Sequence, residues 1–212
     1  MENAMPKIST TPNAELMTQA REALQGKWSL AVGVFLVLIV ILCGVQAIPE
    51  AGPFLPLILS GPFSVGLAIF SFALSRGEQA DMQQLFSGFQ KHFGVSVAAY
   101  ILVGIFVLLW TLLLIIPGII AAMSYSMTYY IIADENETDP FAAIKKSKEM
   151  MDGNKWKLAC LSARFIGWML LCILTFGIGY FWLGPYMNIS YAKFYDDLKE
   201  ADDQKKLDYL LL

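Results

Sequence analysis

Few side chains in this sequence could carry chemistry, and the most apolar parts hold almost none of them. From Phe93 to Ala133 run 41 residues without one Asp, Glu, Lys, Arg or His. A hydrolase working inside a membrane needs a nucleophile with a base beside it, and the apolar runs offer hydroxyls without any such base. No Gly-rich phosphate loop, H-E-x-x-H helix or nucleophile elbow occurs, so the expectation is a protein that is not an enzyme and needs no cofactor. Arg164 is the one ionisable group well inside an apolar run, and a charge so placed is by default a functional hint, here a contact for an anionic group or a lipid phosphate. Its long stem could equally snorkel to the headgroups. Ser124, Ser126, Asn188 and Ser190 form a second set, read as a polar helix interface or as the lining of a pathway. The lone His92 has no Cys, Asp or second His at ligand spacing, and Cys43, Cys160 and Cys172 sit in apolar surroundings as ordinary small hydrophobes. The acidic run Asp134 to Asp139 imitates a calcium loop but lacks its turn glycine and closing glutamate. It reads better as Asp139 capping a helix that has Pro140 in its first turn.

The elements that must position these residues follow from length. As one helix the 41-residue run would be about 61 Å long, twice the ~30 Å hydrocarbon core of a bilayer, so it has to turn back, and Pro117-Gly118 is the place predicted for the turn. Before it, Trp28 to Ile48 is a bilayer-length segment opening on a snorkelling Lys27 and an interfacial Trp28. A cleaved signal peptide is the competing reading there, disfavoured by the long polar segment ahead of it. Phe54 to Leu74 is a second apolar segment, with a kink predicted at Gly61-Pro62. After the central pair, Trp156 to about Tyr195 divides at Gly177 and Gly179 into two short passes. Amphipathic stretches lie between: Glu15 to Gln25, with Leu16, Ala20, Ala23 and Leu24 on one face; Asp81 to His92, with Met82, Leu85, Phe86 and Phe89; and Pro140 to Met151, with Phe141, Ile144, Lys148 and Met151 in line. Residues 1–14 read as an unstructured lead-in, 15–198 as one transmembrane domain and 199–212 as a charged tail.

The plan repeats three times, as surface helix, glycine, aromatic, apolar pass, tight turn and apolar pass, over about 15–75, 79–134 and 140–195. The aromatics opening the passes, Trp28, Phe93 and Trp156, are 65 and 63 positions apart. Small residues recur every four positions on the second helix of each unit: Ser60, Ser64, Ala68; Gly118, Ala122, Ser126; Gly184, Asn188, Ala192. The fold class expected is all-α, six transmembrane helices as three helical hairpins with amphipathic interfacial helices. Of fifteen Lys and Arg residues, all but Arg164 flank the long connections and the termini. By the positive-inside rule, both chain ends and the interfacial helices are cytoplasmic.

With 57% hydrophobic and 16% charged residues, the composition is too apolar for a soluble core to hide. A net charge of −3 without a basic block argues against nucleic-acid binding. Gly61-Pro62 with Ser75-Arg76-Gly77-Glu78, Leu85-Phe86-Ser87-Gly88-Phe89, Leu109-Trp110 through Ile115-Ile116-Pro117-Gly118, Ser124-Tyr125-Ser126-Met127, Ser147 to Met151 with Gly153 and Trp156, Phe165-Ile166-Gly167-Trp168 and Gly184-Pro185-Tyr186 resemble a bacterial family, domain of unknown function 975. That resemblance implies an integral membrane protein, similar in layout to the membrane domain attached to some glycerophosphodiester phosphodiesterases, and brings no activity or site with it. The functional expectation is a non-enzymatic scaffold, regulatory or lipid-interacting module of the bacterial inner membrane. It would contact membrane lipids and a membrane or cytoplasmic protein partner. A small transporter or channel for a hydrophobic or anionic solute is the alternative.

Overall fold

The computed structural model of the chain describes residues 8–49, 52 and 54–210, with side chains as far as residue 204. The described residues are helical throughout: α1 (Asn13–Ala23), α2 (Trp28–Gln46), α3 (Leu55–Ser75), a 3-10 turn (Met82–Phe86), α4 (Ser87–Gln90), α5 (Phe93–Leu113), α6 (Ile115–Ser124), α7 (Thr128–Glu135), α8 (Pro140–Met150), α9 (Lys155–Leu174) and α10 (Tyr180–Leu210). Five stretches are long and apolar enough to cross a membrane: α2, α3, α5, α6 with α7, and α9. α10 starts apolar and continues as one helix into the charged tail, instead of ending at a separate surface helix.

α3 is the central element. The most apolar window of α3 is 61% buried, against 11% for α5 and 17% for α2 and α9. It packs on α5, α7 and α10, and along the segment from Met82 to Gln90. Glycine makes that approach possible. A Cβ at Gly66 would run into the carbonyl of Leu85, one at Gly88 into that of Pro62, and one at Gly61 into that of Ser96 on α5. Asp81 to His92 is therefore not one amphipathic helix lying on a surface. It is a 3-10 turn and a single α turn, started by an Asp81 and Gln84 capping box and laid against α3, with Leu85 fully buried. Phe63 meets Phe89 edge-on at 4.8 Å beneath it. α3 runs unbroken through Pro62.

Three further expectations change. The central reversal lies at Leu114, whose extended backbone (φ −161°, ψ 145°) joins α5 to α6, and not at Pro117-Gly118. Pro117 occupies the first turn of α6, where the absent N–H would have lacked a helical acceptor anyway. Gly118 lets α6 close on α5, a Cβ there falling 2.8 Å from the Thr111 Cα. The lead-in is placed from Ile8 onward, with α1 starting at Asn13; residues 1–7 lie outside the described residues. On α8 the buried face is Ala143, Ile144, Ser147 and Met150, while Phe141 is 58% exposed and Lys148 points outward. Asp139 caps α8 as expected, its Oδ1 accepting from the Phe141 N–H at 3.0 Å. The small-residue stripe holds in part: Ala68, Gly118, Gly184 and Ala192 are buried, but Ala122 is exposed and Ala121 and Ser124 take the inner face.

Two apolar clusters result. One joins α1, α2, α3, the 3-10 turn and α10 around Leu24, Phe70, Leu74 and Leu85. The other joins α3, α7, α8, α9 and α10 around Phe72, Ile131, Met151, Phe165 and Tyr195. Outside them, the reversal regions are bare: Leu112 is 82% exposed, Ile116 72%, Leu174 80% and Phe176 99%.

Candidate functional site

The C-terminal ends of α3 and α7 converge on α10, and polar chemistry concentrates at that junction. Phe72, Tyr130 and Tyr195, one ring from each helix, contact one another with centroids 5.2 to 6.1 Å apart. One turn beyond Phe72, the Arg76 guanidinium donates to Asp134 Oδ1 at 2.7 Å and Asp196 Oδ1 at 2.6 Å, with its Cζ 4.2 Å from the Phe72 ring centroid. Lys199 donates to the other Asp134 oxygen at 2.5 Å, and the Tyr195 hydroxyl to the same oxygen at 3.3 Å. Glu135 beside it accepts from Lys146 of α8 at 2.5 Å. The Asp134 side chain is only 6% exposed, so it depends on these donors. Burial works against the charge on Arg76, but its hydrogen bonds to Asp196 and Asp134 outweigh that and raise its pKa above the ordinary value.

A cavity of about 540 Å³ opens beside the junction, walled by Arg76, Lys193, Asp196, Asp197 and Lys199, with Thr11 and Gln19 closing it from the chain's N-terminal side. The lead-in is fastened here. Both Ser9 and Thr11 donate through their hydroxyls to the Asp197 carboxylate, Lys157 lies 3.4 Å from it, and the Ser9 N–H donates to Asn154 Oδ1 at 2.8 Å. Carboxylate and cation alternate across this region and neutralise one another. The arrangement can lock the N-terminal segment, α3, α7 and α9 onto α10.

The residues singled out from sequence are placed elsewhere. Arg164 is on the exposed face of α9, not between helices. The Ser124 hydroxyl donates to the Ile120 carbonyl, Ser126 to Met123, Asn188 to Gly184 and Ser190 to Tyr186, each within its own stretch of chain. They line neither this cavity nor the apolar cleft at the turn from α9 to α10. Ser147, not singled out from sequence, is the more telling hydroxyl. It donates to the Ser124 carbonyl at 2.9 Å and accepts from the Met127 N–H at 3.1 Å, satisfying the backbone where α6 breaks before α7. Arg76, Asp134 and Asp196 were likewise missed, although each follows the second apolar segment of its unit, so aligning the three units would have placed them together.

An all-α chain with bare apolar helices on its outside and its ion pairs gathered at one end is a membrane-embedded protein in class. Within that class the chain belongs to the family described as protein of unknown function (DUF975), which it matches over residues 5–124 and 111–202. No curated protein and no solved structure matches it.

Proposed function

We propose that the protein is a non-enzymatic, lipid-interacting scaffold of the bacterial inner membrane. Its six apolar helices pair as three hairpins, α2 with α3, α5 with α6 and α7, and α9 with α10, and its two ends and the charged junction face the cytoplasm. The observation that carries this reading is the separation of surfaces, with bare apolar side chains at the α5–α6 and α9–α10 reversals and interlocked ion pairs where α3, α7 and α10 come together. The basic residues flanking the long connections support the orientation. Arg164, exposed on α9, then serves as a cation at headgroup level, and the exposed face of α8 is the surface offered to a protein partner. The transport reading loses support because its polar side chains bond within their own stretches of chain and line neither of the two cavities described above.

The test is extraction and native mass spectrometry of the full chain. The protein should stay with membranes in alkaline carbonate and keep phospholipid on release from mild detergent, and Arg164→Leu should lower retained anionic phospholipid more than zwitterionic phospholipid. A chain that is monodisperse without detergent, or lipid retention indifferent to Arg164→Leu, would refute the reading.

A further inference from the structure

How deep the second and third hairpins go is set by where their nearest exposed charges lie. Ser147 pins α8 at the level of Ser124 and Met127 through its two backbone bonds. Lys145 and Glu149, two residues to either side of Ser147, have side chains 79% and 59% exposed. From Ser124 to the reversal at Leu114 is about 15 Å at helical rise. On α9, the exposed Arg164 precedes the last helical residue, Leu174, again by about 15 Å. A complete crossing needs ~30 Å between the charged rim and the far interface; α5 by itself carries no charge over 21 residues, but the tips lie only about half that distance beyond the exposed charges of α8 and α9.

The reversals themselves are built for hydrocarbon. Between Val107 and Gly118 the side-chain polar atoms are the Trp110 indole N–H and the Thr111 hydroxyl, and the hydroxyl donates to the Val107 carbonyl at 2.7 Å. From Thr175 to Leu183 every backbone N–H has an acceptor inside the chain, Gly179 using the Thr175 hydroxyl. Such a turn suits lipid, where no water serves the backbone. The cleft at that turn, about 570 Å³ and walled by Met169, Cys172, Ile173, Phe176 and Tyr180, suits an acyl chain.

We infer that the α5–α6 and α9–α10 hairpins are re-entrant: both enter from the charged face, turn back near the bilayer midplane and pack their tips among acyl chains, exposing no loop on the far side. This rests on the membrane reading above and sharpens its depth.

The experiment places a bimane on single cysteines, L114C, F176C and K145C, in the full chain with Cys43, Cys160 and Cys172 replaced by alanine. The chain is reconstituted in phosphatidylcholine–phosphatidylglycerol vesicles with iodide on both sides. Lipids doxyl-labelled near the headgroup or near the chain terminus report depth. At L114C and F176C, chain-terminal doxyl should quench best and iodide quenching should be lost, whereas at K145C iodide should quench strongly. Tips quenched by iodide and by headgroup-proximal doxyl would mean full crossings and overturn the inference. Tags on the two chain ends digested from opposite sides would sink the same-side reading alone, because the depth measurement does not depend on it.

Discussion

At the residue scale the decisive groups are hydroxyls that meet backbone needs and rings that pack where helices converge. Ser147 serves two buried backbone groups at once. Ser147→Ala leaves the Met127 N–H and the Ser124 carbonyl unpaired in a dry interior, and the expected loss is about 2 kcal/mol, measured as a lower unfolding midpoint in detergent. An unchanged midpoint would show the α6–α7 break to be satisfied in another way. His92 is 5% exposed, just ahead of α5. Burial and the adjacent Lys91 charge push its imidazole below the ordinary 6.5, the Asn136 hydrogen bond pulling the other way. The unfolded chain takes a proton on His92 near pH 6.5 and the folded chain resists it, so stability should fall as pH drops through and below that value. His92→Gln should flatten the profile between neutral and mildly acid pH, and thermal unfolding across that range reads the difference.

At the element scale, contact between helices is set by where a backbone can approach. Gly66 lies on α3 against the carbonyl of Leu85, with no room for even a methyl group. Gly66→Ala should push the Met82–Gln90 segment off α3 and destabilise by about 1 to 3 kcal/mol, while Gly94→Ala, where a Cβ meets nothing, should cost far less. Equal midpoints for the two variants would contradict the interlock. This contact also shows what was illegible beforehand. Met82, Leu85, Phe86 and Phe89 have a helical spacing that predicts a face, but spacing does not say whether the face meets a lipid surface or a neighbouring helix. Likewise Pro117-Gly118 marks a reversal to within a few residues, yet proline is as comfortable in a first turn as in a loop, and only the packing of Gly118 on Thr111 puts the turn at Leu114.

At the scale of the whole molecule, Arg76 ties the ends of α3 and α7 to the middle of α10 with one side chain. Because a third of that side chain is exposed, solvent screening limits its contribution. Arg76→Gln should cost about 1 to 2 kcal/mol, more than an unpaired surface arginine, since it leaves Asp134 with fewer donors in a buried place. A weaker salt dependence of unfolding in the variant than in the parent is the check, the Lys146, Lys157 and Lys199 pairs remaining in both. The same view accounts for the candidate site. Arg164 and the serines were conspicuous because they are polar residues in apolar runs, which is a local property. Arg76, Asp134 and Asp196 are charges at segment ends, where charge is ordinary, and their meaning appears only once α3, α7 and α10 converge.

By itself the sequence determined the class: helices in place of strands, apolar surface beyond what a core could cover, and basic residues kept to the long connections. These follow from composition and from hydrogen-bond satisfaction in lipid, neither of which depends on who neighbours whom. Tertiary structure alone decided that Ser147 repairs a broken helix, that Arg76 joins α3 and α7 to α10, and at what level exposed charge meets bare apolar surface. Each of those depends on distances between residues far apart in the chain, and a one-dimensional pattern carries no such distances.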